Sequence, residues 1–570
     1  MLGARWVEQG CDEAAAERLS RELGLEPLAA RVLACRGLGD PGDAGKFLAP
    51  RLADLPDPFR MGGMAAAVDA IQRALEAGQR IALYGDYDVD GVTSAALLAG
   101  FLREVGADVV TYVPHRLVEG YGLNTAAVRR LVEQGARLLV SLDCGITSVA
   151  EVRAAAELGA PTVVVDHHTV PVELPSAAAI LNPHQPGCGY PYRPLAAVGV
   201  TFCLAMALRK RLRDAGWFGA ARPEPNLRAA LDLVALGTVA DVVPLTGVNR
   251  IMVRWGLDEL ARTRRPGLRA LMRIAGIPEG SAVTAGQVGF RLAPRINAAG
   301  RLDDAARGVQ LLLEPDARRA VSLAEELDRE NRARQQIERE ILEQATAQAD
   351  ACVQAGARGL VLAAESWHPG VVGIVASRIV ERFHRPAVLV GLSGGTGKGS
   401  GRSIEGFHLY EALAHCSAHL GRFGGHRHAA GLTLDAAALP RFREAFEAYA
   451  RERLGDEDLV PRCRIEGRLA AGDVSERAAR SLERLAPFGA GNPEPLFALR
   501  ARPQRARTVG ASGSHLKLTF GAGVDAIGFS LGERLSLCSG EVEAAVTLGF
   551  DDWDGTRRVQ LRIRDLRTAV

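Results

Sequence analysis

At 570 residues the chain is longer than one hydrophobic core supports, so about three or four domains are expected and a monolithic fold is excluded. A composition with 48% hydrophobic and 24% charged residues excludes a disordered or fibrous protein, and a formal net charge of only +2 excludes a polycation that coats nucleic acid indiscriminately. With no run of eighteen apolar residues, no hydrophobic h-region at the start and nine cysteines without a CxxC pair, the expectation is a cytoplasmic protein with no membrane contact, disulfide framework or zinc-thiolate site.

Residues 1–60 carry short helical patterns broken by "GLGDPGD" and "LPDPF" and read as an appendage laid over the domain that follows. From residue 66 an alternation sets in, with amphipathic stretches such as "AAVDAIQRALEAGQ" and "TSAALLAGFLREVG" separated by the apolar runs "RIALY", "ADVVTYV", "ARLLVSL" and "PTVVV". That rhythm predicts a parallel sheet covered on both faces, whose ligands bind at the carboxyl ends of the strands. Residues 317–351 run without Gly or Pro and are dense in alternating charge, which predicts one helix about 50 Å long bridging two lobes; two helices with a polar break are the alternative. A second α/β unit follows over 352–456, and from 457 short alternating stretches such as "SHLKLTF" and "RRVQLRIRDL" predict a small β-barrel of OB type. The fold class is α/β: an appendage (1–60), a first lobe (61–318), a connecting helix (319–351), a second lobe (352–456) and an OB-like domain (457–570).

Carboxylates recur where apolar runs end. Asp86, Asp88 and Asp90 follow "RIALY", Asp143 follows "LLVSL", Asp166, His167 and His168 follow "VVV", and Asp241 closes "VALGTVA". Placed at the ends of strands in one sheet, these side chains converge although they are far apart in sequence. Any one of them alone reads equally as a helix N-cap; the recurrence at four strand ends is what points to a site. Hard oxygen donors with one or two imidazoles suit Mn²⁺ or Mg²⁺, and a set this large with one bridging carboxylate suits two ions about 3.5–4 Å apart, as in phosphoryl hydrolysis. Gly91 is expected to allow the tight turn into the following helix.

Other stretches offer contacts to a polyanion. Arg116 and Tyr121 in "PHRLVEGYGLN" pair a cation with an aromatic ring, as gripping and stacking on a single strand requires. Arg295, Asn297 and Arg301 in "PRINAAGR" are candidates to neutralise phosphate, and His368, Ser377 and Arg378 in "WHPGVVGIVASR" add a second group. "GTGKGSGRS" is not a P-loop, because Gly399 rather than Ser or Thr follows Lys398; Ser400, Arg402 and Ser403 are read instead as backbone-phosphate contacts. Gly424, Gly425 and His426 form either a phosphate cradle or a tight turn. Arg500, Arg502, Arg505 and Arg507 make the start of the last domain basic, either as a strand-tracking surface or as a solvated face.

"DYDVDG", "LDCG", "DHH" and "ADVVPL", in this order and spacing, resemble the four motifs of the DHH phosphoesterase superfamily. The segments around "WHPGVVGIVASR", "GSGRSIEGFHLYEAL" and "GRFGGHRHAAGLTL" are similar to its companion DHHA1 domain, and "APFGAGNPEPLF" with the tail resembles a branch of single-strand-specific exonucleases. The resemblance implies a two-metal (Mn²⁺ or Mg²⁺) site with Asp88, Asp90, Asp143, His167 and Asp241 as ligands, Asp143 as the bridge, His168 acting on the scissile phosphate or behind it, and Asp86 as an auxiliary ligand. Tyr84 stands where many relatives outside this branch have a histidine, which leaves one ligand fewer for the first metal. The implied activity is 5′-to-3′ exonucleolysis of single-stranded DNA in repair and recombination, releasing 5′-mononucleotides, by a monomer whose partners are a single-strand-binding protein and a repair helicase. Two rivals remain: a phosphohydrolase of pyrophosphate, nano-oligonucleotides or cyclic dinucleotides, against which the additional β domain argues, and a non-catalytic DNA-binding factor, against which the intact ligand set argues.

Overall fold

The computed structural model describes residues 3–115, 119, 120, 122–302, 305–551 and 556–569. The chain divides into two compact units. One holds Ala49–Ala333 together with Pro487–Pro493; the other holds the chain up to Leu48, Arg334–Ala486 and the chain from Glu494 onward.

The first strand, β1 (Arg5–Glu8), shows at once that the N-terminal segment does not cover the domain next in sequence. It pairs in parallel with Arg462–Ile465, and the helices up to residue 48 belong to the same unit. A four-residue strand with partly exposed side chains carries no apolar signal of its partner, because the pairing rests on main-chain hydrogen bonds.

In the unit of residues 49–333, β2 (Arg80–Gly85), β3 (Val109–Tyr112), β4 (Ala136–Leu142), β5 (Thr162–Val165) and β6 (Ala179–Leu181) form an all-parallel sheet in the order β3-β2-β4-β5-β6. Alternation along the strands sends Ile81, Leu83, Leu138 and Val140 into one core and Ala82, Tyr84, Leu139 and Val164 into the other, which is why these runs are apolar throughout. The chain goes from β2 to β3 on one side and then crosses to β4 on the other, so the crevice of such a sheet opens between β2 and β4.

The helix Ala317–Gln354 is continuous over 38 residues and carries the chain from one unit into the other, without the polar break of the alternative reading. In the second unit, β7 (Leu360–Ala364), β8 (Ala387–Ser393), β9 (Thr396–Arg402), β10 (Arg422–Gly425) and β11 (Ala429–Asp435) form a mixed sheet in the order β10-β11-β9-β8-β7. Beyond it come β12 (Arg462–Ile465), the partner of β1, then β13 (Gly467–Leu469), β14 (Phe497–Ala501), β15 (Arg505–Val509), β16 (His515–Phe520), β17 (Val524–Gly528), β18 (Val542–Asp551) and β19 (Arg558–Thr568). The strands from β13 on order as β13-β14-β18-β19-β17-β16-β15. The expected small barrel is therefore an open seven-stranded sheet among the described residues, with β13 and β15 at opposite ends. Period-two alternation reports which face of a strand is buried and not whether the sheet closes.

Candidate metal centre

Three motif aspartates continue the sheet ladder one step past their strands. Asp86 N–H donates to Leu142 O (3.0 Å), Asp143 N–H to Val165 O (2.9 Å) and Asp166 N–H to Leu181 O (2.9 Å). The same register at β2, β4 and β5 brings their side chains to one edge. The fourth carboxylate arrives differently from the expectation. Asp241 caps the C-terminus of a helix, Leu231–Ala240, and not a strand, since an apolar run of this length suits a buried helix as well as a buried strand.

Two glycines make that convergence possible. Gly91 is the third residue of the helix Val89–Glu104 and not part of a turn; a Cβ there would lie 2.5 Å from Asp86 O, so its role is close approach of helix to loop. At Gly237 a Cβ would meet Thr93 Oγ1 at 2.3 Å and Asp90 Oδ1 at 3.2 Å, so this residue lets the helix ending at Asp241 lie against the one starting at Val89.

Each acidic side chain then has a distinct environment. Asp88 is the N-cap of Val89–Glu104, its Oδ1 accepting from the Asp90 and Gly91 amides, so the bland N-cap reading and the site reading coincide in one residue. Asp90 is buried and accepts from the amides of Ala197 (2.6 Å) and Val198 (2.8 Å) at the start of the helix Ala197–Asp214. Asp143 is buried with a left-handed backbone (φ 66°), and Val242, after Asp241, shares that conformation (φ 61°). A β-branched residue in that region stores strain, typically of order 1–3 kcal/mol, which the surrounding packing must offset. His167 Nε2 lies 3.3 Å from Asp143 Oδ1, 3.6 Å from Asp241 Oδ2 and 3.8 Å from Asp90 Oδ2.

Asp166 was singled out in the DHH triplet without a role, and the structure shows what it does. Its Oδ1 accepts from the amides of His167 and His168 and faces His168 Nδ1 at 2.7 Å, while Oδ2 accepts from Ile146 N–H. It shapes the loop and aims both imidazoles. Burial works against its charged form, but these hydrogen bonds, His168 first, hold its pKa below the ordinary carboxyl value. The same contact outweighs burial at His168 and raises that imidazole's pKa.

The other carboxyls go the opposite way. Burial, with Asp88 next, pushes Asp90 up to about 7 despite its two amide donors; burial with Asp90 and Asp88 pushes Asp241 up to about 9; and Asp143 is raised well above the ordinary value by burial and then Asp90. Burial and His168 push His167 down to about 4, which leaves it neutral and a good ligand at neutral pH.

Ligand atoms within 4.8 Å of one another fall into three groups: Asp86, Asp88 and Asp143; Asp90, His167 and Asp241; and Asp143, His167 and His168. Asp143 and His167 each belong to two groups. His167 Nε2 and Asp241 Oδ2 are buried and have no hydrogen-bond partner among the described residues. Oxygen and imidazole donors in mutual repulsion, with buried atoms left over, fit hard divalent cations.

Tyr84 is not part of this set. It is fully buried in the opposite core, donating to Gly122 O at 3.0 Å.

Comparison with known proteins agrees with this geometry. Residues 80–238 match the DHH family N-terminal domain, 356–452 the DHHA1 domain and 465–565 the RecJ OB domain. The single-stranded-DNA-specific exonuclease RecJ of Dickeya dadantii is 42% identical over 90% of this chain and 92% of that protein. The chain belongs to the RecJ family. Thermus thermophilus RecJ in complex with Mn²⁺ superposes with a TM-score of 0.86 at 36% identity, over all of this chain and 80% of that one, and its Mg²⁺ complex gives 0.80 at 34%, over all of this chain and 79% of that one.

Other predicted contacts in the RecJ catalytic unit resolve unevenly. Asn297 Oδ1 accepts from Val89 N–H (3.2 Å), between the two aspartates of the D-x-D, and so braces the metal loop. Arg295, two residues earlier, is committed to the buried Asp328 at 2.9 Å on the long helix, and Arg301 lies in the last turn of Ala293–Leu302. Arg116 and Tyr121 lie outside the described residues.

The DHHA1 unit of this RecJ chain assembles a second cluster. A Cβ on Gly373, in the first turn of the helix Val372–Phe383, would meet Ser400 Oγ at 2.9 Å and Arg402 Nη2 at 3.4 Å, so the helix N-terminus, a hydroxyl and a guanidinium share one place. His368 precedes it, with Nδ1 accepting from Gly370 N–H. Ser403 Oγ is turned inward to Phe407 O. Ser377 Oγ bonds back to Gly373 O, and Arg378 pairs with Glu338 and Glu381, so neither is directed at this cluster. Gly424 and Gly425 pair with β11, and His426 N–H closes the hairpin on Ala429 O (2.8 Å), so the turn reading describes "GGH" better than a cradle of open amides.

Proposed function

We propose that the chain is a divalent-metal-dependent exonuclease that degrades single-stranded DNA from the 5′ end and releases nucleoside 5′-monophosphates. The observation that supports this best is the pair of donors, Asp143 and His167, each shared between groups of a carboxylate-imidazole cluster at the switch point of a RecJ-family sheet. Bound Mn²⁺ or Mg²⁺ there supplies activation of water and neutralisation of charge on the phosphoryl oxygens.

The chain's own residues do the remainder. Asp86, Asp88, Asp90, Asp143, His167 and Asp241 hold the cations. The amides of Ala197 and Val198 fix the orientation of Asp90, and Asn297 holds the loop that carries Asp88 and Asp90. His168, anchored through Nδ1 to Asp166, offers Nε2–H to a phosphoryl oxygen. Ser400, Arg402 and the amides at Val372–Gly373 bind a backbone phosphate. In the same reading residues 61–318 carry the chemistry, 319–351 connect, and 352–456 and 457–570 hold the strand. The protein acts as a cytoplasmic monomer in repair and recombination, supplied with single strand by a helicase and alongside a single-strand-binding protein.

The test uses single-stranded and duplex DNA with Mn²⁺, the wild type beside Asp143→Ala. Mononucleotides released from the 5′ end of the single strand only, and lost with Asp143→Ala, are the expected result; release that survives the substitution overturns the mechanism.

A further inference from the structure

We infer that Phe290 is a stacking platform for an unpaired nucleobase of the strand being cleaved, a contact that helps the site select single strands; the inference rests on the exonuclease reading above. Phe290 is 83% exposed, an unusual state for a phenyl ring in a chain where aromatics are only 5% of residues. Its position is built and not incidental. Thr284 opens the segment with a capping box, and Ala285–Gln287, Val288–Leu292 and Ala293–Leu302 continue one another as a helix whose middle turn is a π-turn. Such insertions are uncommon and cluster at functional sites. Val288, Leu292 and Ile296 are buried and anchor the segment, which leaves Phe290 on the opposite side.

The ring is also close to the chemistry. Gly289 sits against the helix that ends in Asp241, where a Cβ would lie 3.7 Å from Val239 Cγ1, two residues before the carboxylate. Further along the same segment Asn297 braces the metal loop. Val242, next to Asp241, is 69% exposed and held out by its left-handed backbone. Two apolar side chains are thus presented to solvent beside a cluster of acids, from which the phosphates of a strand are kept apart unless cations intervene. A base is the part of the substrate that such a surface fits. In a duplex the base faces are covered by their neighbours, whereas a single strand offers them for stacking on an aromatic ring whatever the sequence.

The experiment measures binding, in the full chain carrying Asp143→Ala so that no strand is degraded. Fluorescence anisotropy of a 3′-labelled oligonucleotide is followed for the intact strand and for strands with one abasic site at each successive position from the 5′ end. Phe290→Ala is expected to weaken binding of the intact strand about tenfold to a hundredfold and Phe290→Trp to restore it. At one position the abasic site should cost the parent protein a similar factor and cost Phe290→Ala nothing further, because the partner of the ring is already gone. Unchanged affinity for Phe290→Ala, the result expected if the ring serves a protein partner, overturns the inference, as do losses that add at every abasic position. A parent protein that binds no single strand would overturn both this inference and the exonuclease reading, whereas normal single-strand binding without coupling overturns only the stacking platform.

Discussion

Asp143 combines three properties that rarely meet in one residue: burial, a left-handed backbone and several acidic neighbours. Asparagine tolerates the same backbone and nearly the same volume, so Asp143→Asn separates charge from shape. We expect it to lower exonuclease activity at least about a hundredfold, yet to raise the melting temperature of the metal-stripped protein at pH 8, because one buried negative charge has gone. A lower melting temperature for the metal-stripped variant would show that the carboxylate is paired internally. The pH dependence follows from the same crowding. In the folded, metal-free protein Asp90 releases its proton at about 7 and Asp241 at about 9, against an ordinary value of 3.8, so the folded state binds more protons than the unfolded one throughout that interval. Stability contributed by these groups is complete below about pH 4 and is lost as pH rises to about 9. The rise in melting temperature on adding Mn²⁺ should therefore grow with pH across this window, and a Mn²⁺ effect that shrinks toward pH 9 would contradict it. At this scale the candidate ligands were legible, since an acid ending an apolar run is conspicuous. What Asp166 does was not, because its hydrogen bonds go to main-chain amides and to a neighbouring imidazole that only the folded loop brings into place.

Among the elements, the helix Val89–Glu104 depends on Gly91. Alanine there would place a methyl carbon 2.5 Å from Asp86 O, and the helix must retreat from β2 with Asp88 and Asp90 on its first turn. A displacement of the order of an ångström at reacting groups costs about a hundredfold in rate, so Gly91→Ala should lose activity by roughly that factor while circular dichroism stays close to the wild type. A second dependence links distant sequence. Leu245 N–H donates to Ala490 O at 2.7 Å, and Cβ atoms on Gly489 and Gly491 would strike Leu245 and Pro244 at 2.7 and 2.9 Å. Asn492, fully buried, ties this loop together through Pro487 O. Residues 487–493 therefore clamp the loop that follows Asp241. Gly489→Val should weaken Mn²⁺ binding, measured by calorimetry, more than it lowers the melting temperature; unaltered metal affinity would refute the clamp. The strand–helix rhythm of the catalytic unit was readable because burial on both faces demands unbroken apolar runs. The clamp was not, because its contacts are main-chain hydrogen bonds and absent side chains, which leave only glycines as their trace.

For the molecule as a whole, a net charge of +2 means that DNA must be met by local patches. On the RecJ OB domain the edge strand β15 presents Arg505 and Arg507 on one face, opposite Lys517 on β16, whereas Arg500 is committed to Glu541 at 2.9 Å. Removing two phosphate contacts lowers the slope of log affinity against log salt by about 1.4, at about 0.7 per contact on a single strand. Arg505→Ser with Arg507→Ser should show that change in single-strand binding, and an unaltered slope would return the strand to the solvated-face reading. Lobes, connecting helix and β-rich tail were legible from period and composition. The pairing of β1 with β12 and the open edge of the last sheet were not, since neither hydrophobicity nor charge records which strand lies beside which.

The clamp at residues 487–493 also has a temporal side. A ribosome that has not yet reached codon 487 displays a chain in which every acidic and histidine ligand has already emerged, but the loop behind Asp241 has no support. Catalytic competence thus arrives near the end of translation, when the residues that select and hold the strand are also being completed. A nascent or prematurely terminated chain is a nuclease without its last brace, and the cell is spared a half-made enzyme able to cut before it can choose what to cut.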